Sequence, residues 1–267
     1  AGPRTTDHGP RTMTLRQRIV RRWTRMLMPF RYDTEDVLRC WCGGSLGPSR
    51  SQLVGECVDC GTGVLLRRLT EASYERWYAT GTYRRWVSGS ADVSVGQLIK
   101  ELRRGQAAIE FMERHGYGVR PLGDDPRRYS VLDVGSGAGG FLVAAKIAGV
   151  GAMIGVDTDA RSGAIPKEFG IAVSPYMPVG GRFDRVICSH LIEHVLSPVT
   201  FMRTLGMHLT DRGVLYVETP AWTPKAEVKL PHVYMYTAQS FRLLGKRAEL
   251  EVVAITEGIQ AVLRRAT

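Results

Sequence analysis

Three groups of side chains in this sequence have the types and spacing to do chemistry. In Ser189-His190-Leu191-Ile192-Glu193-His194-Val195, two imidazoles and a carboxylate stand at i, i+3 and i+4. On a helical turn they would share one face. Such a set can move protons near neutral pH or hold a divalent ion. Cys40-Trp41-Cys42-Gly43-Gly44 and Cys57-Val58-Asp59-Cys60-Gly61 form two thiol pairs, with 15 residues from Cys42 to Cys57. The glycine after each pair frees backbone amides to donate to sulfur, and four thiolates suit a closed, tetrahedral, structural Zn2+. The alternative is a set of buried, unligated thiols. The third group is the run SVLDVGSGAGGFL from Ser130 to Leu142, with Asp133, Gly135, Gly137 and Gly139 around a turn. Glycines there let the backbone approach a ligand, and the amides of a following helix can face it.

Elements of regular structure must position these groups. After Tyr129 the sequence alternates short β-branched runs with helical segments, the pattern of a parallel sheet with crossover helices. Strands are expected near 130–135, 152–157, 171–174, 183–188, 213–219, 249–255 and 258–264, with helices near 139–149, 160–169, 197–209 and 237–247. The tight Glu257-Gly258 connection makes the last two strands antiparallel to each other. The glycine turn then falls at the carboxyl end of the first strand, and Asp157 ends the second strand 24 residues after Asp133. An acid at that position can accept hydrogen bonds from ribose hydroxyls, as nucleotide-binding folds allow.

The D-x-G-x-G-x-G form of Asp133 to Gly139 resembles the first motif of class I S-adenosylmethionine-dependent methyltransferases. Dinucleotide folds use G-x-G-x-x-G instead, which is absent in this register. FDRVICSHLIEHV at 183–195 and LTDRGVLYVETP at 209–220 resemble the fourth and fifth strand motifs of that family, and HVYMYTAQSFRLL at 232–244 its closing helix. The resemblance runs from Ser130 to about Arg264. It implies an α/β fold with a seven-stranded Rossmann-like sheet, last strand antiparallel, and S-adenosyl-L-methionine as cofactor. It implies cofactor contacts at Asp133, Gly135, Ser136, Gly137, Gly139, Asp157, Thr158 and Ser189. One feature departs from the family: no acid lies between Glu168 and Asp184, where relatives place an acid or amide against adenine.

SHLIEHV also resembles the glutamate–histidine motif of small-molecule O-methyltransferases. That likeness implies a hydroxyl acceptor on a small metabolite or glycan, with His194 as the base and Glu193 and His190 beside it. In quinone-pathway relatives a carboxylate replaces His190 and the set can hold a divalent ion. His194 could equally be a structural hydrogen-bond donor, and His232 is a second candidate. A four-cysteine ribbon ahead of such a core resembles sugar C-methyltransferases, which would put Tyr78 or Tyr83 of YERWYATGTYRRW over the active site. Cys188, on the fourth strand, is expected in the core.

These readings divide the chain into a basic arm (1–36), a four-cysteine zinc-ribbon-like module (37–70), a helical lid or linker (71–128) and the methyltransferase domain (129–267). The formal charge is +10, and residues 1–70 hold 12 Arg against six acids. Residues 11–31 contain no acid and place Leu15, Ile19, Val20, Trp23, Met26 and Leu27 at helical spacing. That segment reads as a basic amphipathic helix, packed on its own domain, contacting RNA, or left from an Arg-rich targeting sequence. The RNA reading carries a second functional class: a weak or inactive methyltransferase-like subunit or assembly factor of a ribonucleoprotein such as an organellar ribosome. No apolar run reaches the roughly 18–20 residues of a membrane span, and no short apolar segment precedes a small-residue cleavage site. Together with five cysteines and no sign of export, this leads to the expectation of an intracellular, reducing compartment, cytoplasm or mitochondrial matrix, and of a protein that is not secreted.

Overall fold

The computed structural model describes residues 32–51, 53–90, 92–119, 129–223 and 232–266. The basic segment 11–31, with its expected helix and RNA contact, lies outside the described residues. In chain order the elements are β1 (Thr34–Asp36), β2 (Leu46–Ser51), β3 (Val54–Cys57), β4 (Gly63–Leu65), β5 (Arg67–Leu69), α1 (Glu71–Ala79), α2 (Thr82–Ser88) and α3 (Val95–Arg114). There follow β6 (Ser130–Val134), α4 (Gly140–Ile147), β7 (Ala152–Val156), α5 (Ala164–Glu168), β8 (Ala172–Ser174), β9 (Phe183–Ser189) and α6 (Pro198–Met207). The chain ends with β10 (Leu209–Glu218), β11 (Tyr234–Met235), α7 (Ala238–Arg247), β12 (Leu250–Ile255) and β13 (Gln260–Arg265).

Seven strands form one sheet in the order β12-β13-β10-β9-β6-β7-β8. β8, β7, β6, β9 and β10 are parallel, and β13 runs antiparallel to both of its neighbours. The expected strands and the antiparallel last strand are all present. Period-2 alternation gives the sheet two buried faces. Val131, Ile187, Val214, Tyr216 and Val262 meet α3 and α4 on one face, through Ala108, Phe111, Met112, Phe141 and Ala144. Leu132, Val186, Cys188, Leu215 and Val217 face the other way, toward α6, α7 and the cysteine module. Cys188 is in the core as expected.

α3 begins at the Ser94 cap, whose side chain accepts from the Gln97 amide. It crosses α4 at very short range because both helices carry glycine at the crossing. A Cβ at Gly105 would stand 2.7 Å from Phe141 Cα, and one at Gly140 would stand 2.3 Å from the Glu101 carbonyl carbon. This helix therefore packs as a layer of the main sheet, although it lies ahead of the 129 boundary drawn from composition.

The cysteine module is a small antiparallel sheet in the order β11-β4-β3-β2, with β1 paired separately to β5. Its edge strand β11 comes from more than 150 residues further along the chain, with Tyr234 opposite Val64 and Met235 opposite Gly63. The contiguous 37–70 module is thus completed by a strand from within the main domain.

Candidate active site

The glycine turn leaves β6 with Gly135, Gly137 and Gly139 at φ +74°, +58° and +79°, a region that disfavours any residue with a Cβ. The amides of Gly135 and Ser136 donate to Val156 O at 2.8 and 3.1 Å, fastening the turn to β7. Gly137 N donates to Asp157 Oδ2 at 2.8 Å, and Asp159 N to Asp157 Oδ1 at 2.8 Å. Each carboxylate oxygen keeps a second lone pair for a ribose hydroxyl. Ala138 N donates to Glu101 Oε2 at 2.8 Å, so α3 contributes an acid to the loop.

Burial, followed by the nearby charges of Asp157 and Glu101, pushes the Asp133 carboxyl up to about 8. Burial also raises Asp157, against the amide bonds it accepts. The Ser136 hydroxyl is buried without a hydrogen-bond partner. Ser189 Oγ donates to Glu218 Oε2 at 2.9 Å, and Thr158 lines the same cleft. Where an adenine-binding acid was missing from the sequence, Pro175 and Met177 line the cleft. The adjoining wall is tied by a buried ion pair, Arg84 Nε to Asp159 Oδ2 at 3.1 Å.

Seven of the eight sequence-derived cofactor residues, all but Gly139, line one cleft of about 830 Å³, together with His190, Glu193 and His194. Gly139 shapes the turn beneath it: a Cβ there would meet Pro166 at 2.3 Å. Tyr78 and Tyr83 line the cleft as well, and their rings stand edge-on to His194 at 5.9 and 5.6 Å between centroids.

The geometry around Glu193 differs from the expected helical turn. Only Ile192–His194 form a 3₁₀ turn, and His190 precedes it in a left-handed conformation at φ +54°. His190 therefore approaches Glu193 from the β9 side: Nδ1 is 3.3 Å from Glu193 Oε1, and Nε2 is 3.6 Å from Glu218 Oε1. His194 Nε2 lies 4.0 Å from Glu193 Oε1. The His232 ring stands 4.9 Å from that of His194, nearly perpendicular. The donor atoms that converge within 4.8 Å of one another belong to Glu193, His194 and His232, so this set, not His190, Glu193 and His194, has the spacing of an ion site. The reason is the tight 3₁₀ turn, which breaks the i, i+4 face and lets a residue from a distant segment take the third place.

Glu193 is 1% exposed, and its carboxylate is met by imidazoles, with His190 Nδ1 nearest at 3.3 Å. Burial alone would raise its pKa. His190 first, then the charges of His194 and His232, outweigh burial and hold it at about 2. His190 is raised correspondingly: burial opposes its charge, but Glu193 and Glu218 prevail.

The four sulfurs of Cys40, Cys42, Cys57 and Cys60 are buried and all lie within 4.8 Å of one another. Cys40 and Cys60 Sγ are 3.7 Å apart, and Cys42 and Cys57 Sγ are 3.4 Å apart. Zinc–sulfur bonds of about 2.3 Å in a tetrahedron give sulfur separations of roughly 3.8 Å, so one ion fits this set. All five cysteines of the chain are free thiols. Among the described residues, no helix is long and apolar enough to cross a membrane.

Several site residues carry no signal in the sequence. Glu101, Lys100 and Arg104 lie on the polar stripe of α3, which reads as a solvated face. Glu218 could have been found by the logic that found Asp157, an acid at the carboxyl end of a parallel strand.

A glycine turn at the switch point of a parallel sheet, facing a chamber of imidazoles and tyrosines, defines a nucleotide-cofactor group-transfer enzyme. A family model described as a methyltransferase domain matches residues 103–255, more than half of the chain. The chain belongs to that family and is a class I S-adenosylmethionine-dependent methyltransferase. The fold resembles the 1,6-didemethyltoxoflavin-N1-methyltransferase of Burkholderia thailandensis, solved with its substrate and S-adenosylhomocysteine. That likeness has a TM-score of 0.54 at 13% identity, covering 79% of this chain and 98% of that one. It also resembles magnesium protoporphyrin IX methyltransferase of Synechocystis PCC 6803 with bound S-adenosylhomocysteine, at a TM-score of 0.50 and 14% identity, covering 74% and 100%. No curated protein matches the chain by sequence.

The cradle fits the cofactor that the family implies. The buried Ser136 hydroxyl in the turn has no partner within the protein, while Cβ atoms at Gly135 and Gly137 would meet Leu191 Cδ2 at 2.8 Å and Glu101 Oε2 at 3.2 Å, so packing holds both positions to glycine.

Proposed function

We propose that this methyltransferase acts on a hydroxyl of a small metabolite or glycan, with His194 as the base that takes the acceptor proton. The observation that carries the reading is Glu193, a buried carboxylate lining the cleft with His190 Nδ1 at 3.3 Å, His194 Nε2 at 4.0 Å and His232 close by. Such a charge is costly to bury unless it is used.

Bound S-adenosylmethionine supplies a methyl group on a sulfonium, which is transferred by in-line displacement. The chain's own part is to hold the reactants and move one proton. The glycine turn, Asp133 and Asp157 hold the cofactor's ends, with Ser136, Thr158 and Ser189 around it. The charge of Glu193, 4.0 Å from Nε2 of His194, stabilises the imidazolium that forms when His194 takes the acceptor proton. His190, bracketed by Glu193 and Glu218, fixes the carboxylate against movement. Tyr78 and Tyr83 wall the chamber against water. The four cysteines would hold a structural Zn2+ that closes the ribbon. Glu193, His194 and His232 offer the donor set that a divalent cation would need to orient an acceptor oxygen.

Methyl transfer from labelled S-adenosylmethionine to panels of hydroxyl and amine acceptors tests the assignment. A hydroxyl acceptor is expected, and His194→Ala should lower turnover about 10²- to 10⁴-fold, the usual share of a general base. S-adenosylhomocysteine affinity should stay within roughly threefold if His194 serves the acceptor rather than the cofactor. Turnover of the His194→Ala protein at the original rate would remove His194 from the chemistry. Activity that falls with a chelator and returns with one divalent metal, while the zinc content of the ribbon stays unchanged, would move the role to the cation set.

A further inference from the structure

We infer that the cysteine ribbon is a positioning device for the acceptor half of the site: its strand β4 holds the segment that carries His232 and, through one backbone bond, the Glu193–His194 turn.

The connection is continuous. Within the ribbon, Cys57 N donates to Thr62 O at 2.9 Å, and Cys60 Sγ lies 3.1 Å from Thr62 Oγ1. Trp41, between two of the cysteines, donates from Nε1 to the same hydroxyl at 3.1 Å. One residue on, Gly63 begins β4, where the Trp222 indole lies so close that a Cβ would sit 2.9 Å from it. At the end of β4, Leu65 N donates to Val233 O at 3.0 Å, and Val233 N donates to Glu193 O at 2.7 Å. Val233 therefore bridges ribbon and catalytic turn with its two main-chain groups, and His232 is its immediate neighbour. Tyr234 adds a side-chain tie, with its hydroxyl 3.3 Å from Arg68 Nη1.

The ribbon strands are short, two to six residues, and the small cluster on one side of them holds Val54, Leu65 and Met235 with Trp222. Strands this short are marginal alone, so a cross-link of four thiolates would add to the packing of Val64 on the main core in making β4 rigid enough to act as a template. The glycine turn has no part in this chain of bonds. It is fastened to β7 and α3 by Val156, Asp157 and Glu101. Metal in the ribbon should thus govern the acceptor half and leave the cofactor half alone.

The experiment uses the full chain with zinc bound and after its removal by a chelator under reducing conditions. Amide hydrogen exchange, zinc content and calorimetric titration with S-adenosylhomocysteine are read together. Zinc removal should speed exchange at Leu65, Val233 and His194 by about tenfold or more, with exchange at Gly135 and Val143 unchanged. S-adenosylhomocysteine affinity should change by less than roughly threefold, and zinc should restore protection. Val233→Pro removes the bond to Glu193 and changes a buried side chain, but keeps the carbonyl that Leu65 N uses. It should keep one zinc and the Leu65 protection while losing protection at His194.

Unchanged exchange at Val233 after zinc loss overturns the inference, as does unchanged exchange at His194 in the Val233→Pro protein. Parallel loss of S-adenosylhomocysteine binding would also overturn it, making the ribbon a support of the whole fold. The inference rests on the four-thiolate zinc reading: a chain that binds no zinc yet binds S-adenosylhomocysteine sinks it and spares the methyltransferase assignment.

Discussion

The two halves of the cleft are built in different ways. The cofactor half is nearly contiguous: Asp133 to Gly139 and Asp157 to Asp159 occupy one strand–turn–helix–strand unit, with Glu101 as the main contribution from outside it. The acceptor half draws on Tyr78 and Tyr83 from α1 and α2, His190 to His194 after β9, and His232 before β11, with the ribbon behind. A local unit is specified by glycine conformations and strand pairing. An assembled one needs several long-range contacts to form together. The two halves should therefore respond separately to damage.

The largest separation should come from Gly135→Arg. Its φ of +74° and the Leu191 side chain leave no room for a substituent, so S-adenosylhomocysteine binding should fall by more than about 10²-fold in calorimetry. The arginine would press on Leu191 in the turn after β9, so protection at His194 should fall with it, while protection at Leu65 in the ribbon should be unaffected; its loss would show that the halves fold as one.

The Asp133 carboxyl sharpens the cofactor side. Its pKa near 8 means that at pH 7 the free protein holds it protonated, against an ordinary value of 3.8. A cofactor ammonium group requires the carboxylate, so binding should release up to about one proton at pH 7, and affinity should rise as pH increases toward 8. Titrations in buffers of different ionisation enthalpy measure that number. Zero protons released would place Asp133 outside the ammonium contact.

The smallest effect concerns the anchor of the acceptor segment. Thr237 caps α7 immediately after β11 in a reciprocal box with Ser240, at 3.1 and 2.9 Å. Thr237→Ala should cost about 1 kcal/mol, lowering Tm by roughly 2–4 °C. S-adenosylhomocysteine affinity should not change; a loss would mean that α7 supports the cofactor half as well.

Much of the fold was legible because strand and helix periods are local. β6 to β13, apart from the two-residue β11, were placed within a few residues, and Glu257-Gly258 dictated the antiparallel β12–β13 pair. β10 begins at Leu209 rather than 213, because its first residues pair with Phe183 across a register shift. The cysteine set was legible as well: the thiols themselves and the glycines beside them carry the signal.

What the residue order determined by itself is the cofactor class, since Asp133, the three glycines and Asp157 act through backbone shape over a single strand–turn–helix–strand unit. Only the tertiary structure decided the rest. His190 was displaced from the ion-spaced set by a left-handed residue and a 3₁₀ turn, and His232 entered it from a segment 38 residues beyond His194. The ribbon gained its last strand from that same segment. Contacts between residues so far apart in sequence depend on how whole elements pack, and no periodicity along the chain records that.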